Sequence, residues 1–147
     1  RIGLTPYKLN LFPLSDLQST LILSQLERLQ EIGQRRQSLF QHYQTRLTGL
    51  PLTLPSQLGD QSMPFRFPVQ LASGSHVEHT ITAFARHNVA VRRPVDSLLH
   101  QYRPASTSFP VAQRLFDSTI SLPLYPALSD GDLDAVLAAA HAIFSHS

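Results

Sequence analysis

The 147-residue sequence has no cysteine, no tryptophan, one methionine (Met63) and one lysine (Lys8). Without cysteine there are no disulfides, no thiolate metal sites and no thiol nucleophile. With one lysine, a Schiff base has a single candidate amine. No apolar run approaches the ~20 residues of a membrane-spanning helix, and there is no secretory apolar core, so no membrane partner is expected. Neither a glycine-rich phosphate loop nor a Gly-x-Ser-x-Gly elbow occurs. Charge is also scarce. Charged residues are 15% of the chain, the net charge is +2, and the basic residues are almost all scattered arginines. The pI near 9.4 therefore comes without the clustered footprint of a nucleic-acid binder. So uncharged a surface, on a chain that is 42% apolar, is expected to be partly covered by another domain or subunit. The length suits one domain with a real core or a piece of something larger. The first residue is Arg1 rather than Met, so a cleaved, cloned or truncated product is expected, in the cytoplasm.

Against these absences stands residues 14–32, LSDLQSTLILSQLERLQEI. Ser15 and Gln18 form a capping-box pattern, and Asp16 suits the positive end of a helix. Leu14, Leu17, Leu21, Leu26, Leu29 and Ile32 fall on one apolar stripe. After a lead-in over residues 1–13, the pattern predicts one helix over 15–48, about 50 Å long at ~1.5 Å per residue, with a bend at Gly33. Its second half places Leu39, Phe40, Tyr43 and Leu47 inside, with Arg35 and Arg36 outside. Residues 50–63 read as a loop. Residues 64–71 alternate as a half-buried strand with Phe65, Phe67, Val69 and Leu71 on one face, and Pro68 puts that strand at an edge or bulge. A helix over 76–87 stopping at Asn88, a strand over 89–93, a helical turn within 95–102, a helix over 111–116, a strand over 119–122 and a helix over 130–144 follow. The fold class is α+β: a long helix, then over 64–144 a three-stranded sheet covered on one face by helices, all within a single domain, 1–147.

Residues 14–32 resemble, in wording as well as pattern, the helix that leads into the small C-terminal domain of the DegT/DnrJ/EryC1/StrS family of sugar aminotransferases. The block 109–130, FPVAQRLFDSTISLPLYPALSD, is similar to a second signature of that family, and 132–136 fits its closing helix. Arg92-Arg93-Pro94 and Tyr102-Arg103-Pro104 resemble the places where the family turns towards its substrate pocket. The resemblance implies the small C-terminal domain of a fold type I, pyridoxal phosphate (PLP)-dependent aminotransferase. It further implies a missing N-terminal large PLP domain, a homodimer, and a role in nucleotide-sugar metabolism and polysaccharide biosynthesis. Its substrates would be a keto-sugar nucleotide and an amino-acid donor such as glutamate.

Two departures qualify what the resemblance carries over. The family's Asn-Tyr-Arg triplet, which helps hold the cofactor phosphate of the neighbouring subunit, falls on Leu11, Phe12 and Pro13. Asn10 is one residue out of register and is the only cofactor-binding candidate. The family's Schiff-base lysine lies in the large domain, so Lys8 does not match it. No residue is assigned a catalytic role, and the chain alone is expected to bind no cofactor. The alternative is a degenerate, non-catalytic relative acting as an interaction module.

Arg92, Arg93, His100 and Tyr102 are the substrate-binding candidates. A guanidinium pair matches a diphosphate bidentately, and the same pair could instead be solvated or bound to a carboxylate such as Asp96 or Asp117. His76 and His79, three apart near a helix start, could place two imidazoles together. With no third ligand at convincing spacing, no metal is expected.

Overall fold

The computed structural model describes residues 13–56, 59, 62–72, 76–102 and 108–145. Lys8, Asn10, Leu11 and Phe12 of the lead-in, and Arg103 and Pro104, lie outside them. The chain divides into two units, Arg1–Glu31 and Ile32–Ser147.

In the first unit, α1 (Asp16–Glu27) starts where the sequence places it. The Gln18 N–H donates to Ser15 Oγ at 3.3 Å, and the Ser15 N–H donates to Gln18 Oε1 at 3.0 Å, closing the capping box. The helix stops at Arg28, whose backbone (φ −96°, ψ 4°) leaves the helical region. The expected unbroken helix over 15–48 is therefore two helices, and the interruption is at Arg28, not at Gly33. Gly33 lies buried within α2 (Leu29–Arg46), where an added Cβ would come within 3.2 Å of the Met63 Cε.

The second unit is built on a three-stranded antiparallel sheet in the order β1 (Leu52–Thr53), β2 (Phe67–Leu71), β3 (Thr119–Leu122). Phe67 pairs with Leu122 and Val69 with Ile120, so all four side chains share one face, and all four are buried. Onto that face α2 packs Leu39, Phe40 and Tyr43. The Phe67 ring meets the rings of Phe40 at 4.8 Å and Tyr43 at 4.9 Å. Helices α3 (Val77–Arg86) and α6 (Asp130–Phe144) close the layer, with Phe84 and Phe144 at 6.0 Å. The Tyr43 hydroxyl donates to the Pro123 carbonyl at 2.9 Å, and burial pushes its phenol pKa up, with a smaller contribution from Tyr125. Two shorter helices, α4 (Leu99–Tyr102) and α5 (Pro110–Ser118), complete the unit.

The sheet departs from expectation in its membership. Residues 89–93 form no strand. A single bridge joins Arg92 to Ser121 on the free side of β3, and Pro94, which has no N–H, ends the pairing two residues on. The third strand is instead the two-residue β1, inside the expected loop. Phe65 lies outside β2 and is 67% exposed, whereas Phe67, Val69 and Leu71 alternate inward as expected. The second face of the sheet is not bare, because Ala112, Leu115 and Phe116 of α5 line a groove with Pro68, Gln70 and Thr119. Asn88 ends α3 in the left-handed conformation (φ 58°), and the Val89 N–H returns to the Phe84 carbonyl at 3.1 Å. Gly49 (φ 91°), three residues past the end of α2, also takes a positive φ.

Candidate functional site

The Asn88 turn and the Arg92 bridge hold residues 88–92 along the free edge of β3. A cleft of about 600 Å3 opens there, between this segment, the strand exit at Ser121–Tyr125 and the start of α6. Val91, Leu122, Leu128 and Val136 form its apolar floor, and Arg36, Arg66 and Arg92 stand in its wall with Phe65, Tyr125 and Asp132.

The four expected substrate residues do not share this cleft. Arg92 lines it, exposed, and its side chain has no hydrogen bond or ion pair among the described residues. The adjacent Arg93 points elsewhere. Its Nε and one terminal nitrogen donate to Glu78 Oε1 at 3.1 and 3.0 Å, the other donates to the Phe116 carbonyl, and the guanidinium carbon sits 4.5 Å from the Phe116 ring centroid. The expectation that both guanidinium groups stand free of carboxylates is thus corrected for Arg93, whose partner is Glu78 and neither Asp96 nor Asp117. Alternation along an extended segment accounts for the split, because successive side chains leave on opposite sides. His100 stacks on Phe109 at 5.4 Å, and the Tyr102 hydroxyl is 2.7 Å from Ser97 Oγ, both at α4.

Arg35 and Arg36 divide in the same way. Arg35 donates to the Leu128 carbonyl at 2.7 Å and to Asp130 Oδ1 at 2.8 Å, and this hydrogen bond, reinforced by the positive charge, holds the Asp130 carboxyl below the usual carboxylate range. Arg36 lines the cleft, and its buried Nε has no partner. The sequence placed Arg36 on an outer helix face and Arg66 on the polar side of a strand. Helical and strand periods alone do not reveal that both turn to one cleft. His76 and His79 lie 5.4 Å apart, and among the described residues no group of three or more metal-ligating side chains assembles. No helix among them is long and apolar enough to cross a membrane.

These residues do not fit the coenzyme that the resemblance implies. A Schiff base needs a lysine amine, and no lysine stands among them. The one carboxylate on the cleft, Asp132, accepts from the Ser129 hydroxyl at 2.6 Å and from its N–H at 3.3 Å, and so caps α6. What the cleft offers is positive charge over an apolar floor.

Comparison with known proteins places this geometry. Residues 9–141 match the model of the DegT/DnrJ/EryC1/StrS aminotransferase family. The chain is 32% identical to the spore coat polysaccharide biosynthesis protein SpsC of Bacillus subtilis (strain 168), over 90% of this chain and 36% of the relative. It is 30% identical to the erythromycin biosynthesis sensory transduction protein EryC1 of Saccharopolyspora erythraea, over 85% and 36%. Among solved structures it is similar to the aminotransferase TlmJ of Streptoalloteichus hindustanus, with a TM-score of 0.79, 26% identity, 86% of this chain and 36% of that one. Helicobacter pylori PseC shares the fold with a TM-score of 0.81 at 19% identity, over 92% of this chain and 39% of that one. The chain spans about 36% of the length of the curated relatives it matches. With the signature helix, the closing block and the small α+β layer all in order, the chain belongs to the DegT/DnrJ/EryC1/StrS aminotransferase family.

Proposed function

We propose that this chain is the small C-terminal domain of a fold type I, PLP-dependent aminotransferase. The intact protein, a cytoplasmic homodimer, transfers an amino group from an amino-acid donor to a keto-sugar nucleotide. The carrying observation is one of coverage: the family match takes in nearly the whole chain, while the chain takes in only about 36% of its relatives. The neighbours' descriptions support the substrate class. One is a sugar aminotransferase of Streptococcus pneumoniae in a PLP form, and PseC is described as an aminotransferase involved in the biosynthesis of pseudoaminic acid.

In this reading the large domain N-terminal to the chain supplies the lysine, and PLP, when bound there, supplies the electron sink that carries the amino group. This chain supplies walls. Arg92 meets the substrate diphosphate, His100 and Tyr102 line the approach, and Arg93 holds α3 to α5 through Glu78 and the Phe116 carbonyl. The leucines of α1 supply the surface for the large domain or the second subunit.

The test has two parts. The genomic sequence upstream of the Arg1 codon should encode a lysine-bearing PLP domain in frame, and the joined product should transaminate a keto-sugar nucleotide. The isolated 147-residue chain, titrated with PLP, should develop no saturable aldimine absorbance at the edge of the visible range. A stoichiometric band that disappears in Lys8→Ala would overturn the reading. One observation favours a non-catalytic relative: Leu11, Phe12 and Pro13 occupy the family's phosphate-contacting triplet. A promoter and start codon immediately upstream of Arg1 would decide for it.

A further inference from the structure

We infer that Arg36, Arg66 and Arg92 form an anion site for a phosphoryl group, with Arg36 and Arg66 binding residues that are not among the substrate candidates. The inference extends to Arg36 and Arg66 the phosphate contact proposed for Arg92 and rests on that contact, while its test on the 147-residue chain does not require transamination. Each of the two Arg-Arg pairs in the second unit spends one member on structure, Arg35 on Asp130 and Arg93 on Glu78, and sends the other to the same cleft.

Arg66 joins them from the segment before β2. Its guanidinium carbon lies 5.1 Å from the centroid of the Phe65 ring, and that of Arg36 lies 5.6 Å from the same centroid. A single ring that is 67% exposed thus has two guanidinium groups beside it. The ring's quadrupole attracts each cation, yet the cations repel one another, and the ring carries no net charge to offset that repulsion.

Charge along the wall is unbalanced as well. Three guanidinium groups face one carboxylate, Asp132, which already accepts from the Ser129 hydroxyl and N–H. Among the described residues the side chains of Arg36, Arg66 and Arg92 have no hydrogen-bonded or ion-paired partner, and the Arg36 Nε is cut off from water. The Arg36 Nε gains no partner from the cleft, so what points to a bound anion is the unbalanced charge of three guanidinium groups without side-chain partners on a cleft of about 600 Å3. The local excess of two positive charges matches a phosphate dianion better than a carboxylate, and planar guanidinium forks match phosphoryl oxygens two at a time. Such a group could arrive as free phosphate or as the diphosphate of a nucleotide.

The site can be read in the 147-residue chain by following its amide spectrum during titration at fixed low ionic strength, so that screening is constant. Inorganic phosphate and pyrophosphate should each give saturable shifts centred on residues 88–92 and 121–125, and acetate at the same ionic strength should give at least tenfold weaker binding. Arg92→Gln, at an exposed position, and Arg66→Gln should each weaken phosphate binding about tenfold with the rest of the spectrum unchanged. Arg36→Lys, which keeps the charge and removes the fork, covers the case in which Arg36→Gln does not fold, and it too should weaken binding. A nucleoside diphosphate bound more than tenfold tighter than phosphate would support the site with a nucleotide as its source, and equal affinities would support it with free phosphate as the source. Non-saturable shifts, acetate binding as tightly as phosphate, or variants that bind like the parent would each overturn the inference.

Discussion

Helices α1 and α6 carry the same N-terminal device, a serine whose oxygen accepts the third amide and a side chain at that position that returns the hydrogen bond: Ser15 with Gln18, and Ser129 with Asp132. Both are rich in leucine, alanine or isoleucine. Their interiors could hardly differ more. Leu133, Val136, Leu137, Ala139, Ala140 and Phe144 of α6 are buried, whereas no residue of α1 is, and Leu17, Leu21, Ile22, Leu23 and Leu26 remain between 44% and 70% exposed. A cap contributes about 1 kcal/mol, and an isolated helix of ~12 residues is marginal in water even with good propensity. The cap therefore marks where each helix begins, and burial decides whether it is held. In α6 the caps refine a packed element. In α1 they start a helix whose apolar side chains, spread around its circumference, stay exposed.

The contrast should be clearest in the core. Phe67→Ala removes a fully buried ring flanked by Phe40 and Tyr43 and should cost about 3–5 kcal/mol in urea unfolding. Leu21→Ala, on the exposed face of α1, should move the same transition by less than about 0.5 kcal/mol. Comparable losses at the two positions would break the comparison.

Tyr43→Phe should cost about 1–2 kcal/mol, because it leaves the Pro123 carbonyl without its donor. It also carries a pH signature. Burial raises the phenol pKa in the folded state, so the neutral hydroxyl contributes stability that is complete below the unfolded value of about 10 and is lost as pH rises beyond it. Thermal unfolding of the parent should weaken above that pH, and Tyr43→Phe should lack this component.

Ser129→Ala should lower global stability by about 0.5–2 kcal/mol. Ser15→Ala removes an equivalent cap and should reduce far-ultraviolet helicity while leaving the cooperative unfolding midpoint in place. A shift of that midpoint would mean that α1 is coupled to the core.

The smallest effect belongs to Asp130. Arg35 lowers its pKa by hydrogen bond and charge, so the contribution is present above the unfolded value of about 4 and is lost as pH falls through the lower, folded one. At this exposed carboxylate, Asp130→Asn should remove that small contribution at neutral pH and flatten the acid limb of the stability profile, so that parent and variant converge at low pH. A steep loss at pH 7 would contradict it.

What could be read from the sequence divides along local and non-local lines. The α6 and β3 boundaries, the Ser15–Gln18 capping box and the Asn88 stop are written in adjacent residues and stand where expected, whereas the Ser129–Asp132 box, equally local, is not among the expected features. The break at Arg28 has no proline or glycine to announce it, and a two-residue strand such as β1 has too little pattern to detect. At the cleft, Arg92 is a candidate through its likeness to the family's turn towards the pocket, although the strand expected over 89–93 does not form. Its separation from Arg93 follows from local alternation, but the partner Arg93 finds, Glu78, lies 15 residues away, and the approach of Arg36 and Arg66 to Phe65 depends on tertiary packing. Repeating patterns report which way a side chain leaves its own element, not which other elements it will meet.

The clasp between α2 and α6 has a consequence for the order in which the protein can be made. Arg35 reaches Asp130 across 95 positions, Tyr43 reaches Pro123 across 80, and His141 returns to the Arg46 carbonyl across another 95. At translation rates of ~5–20 residues per second, roughly 5–20 s separate the synthesis of α2 from that of its partners. For most of that interval Phe40 and Tyr43 have only Phe67 of β2 as native cover, and the loop that must close is nearly as long as the unit itself. Nascent chains of this domain are thus exposed to holdase capture over most of their synthesis, and productive folding waits for the last helix to be made.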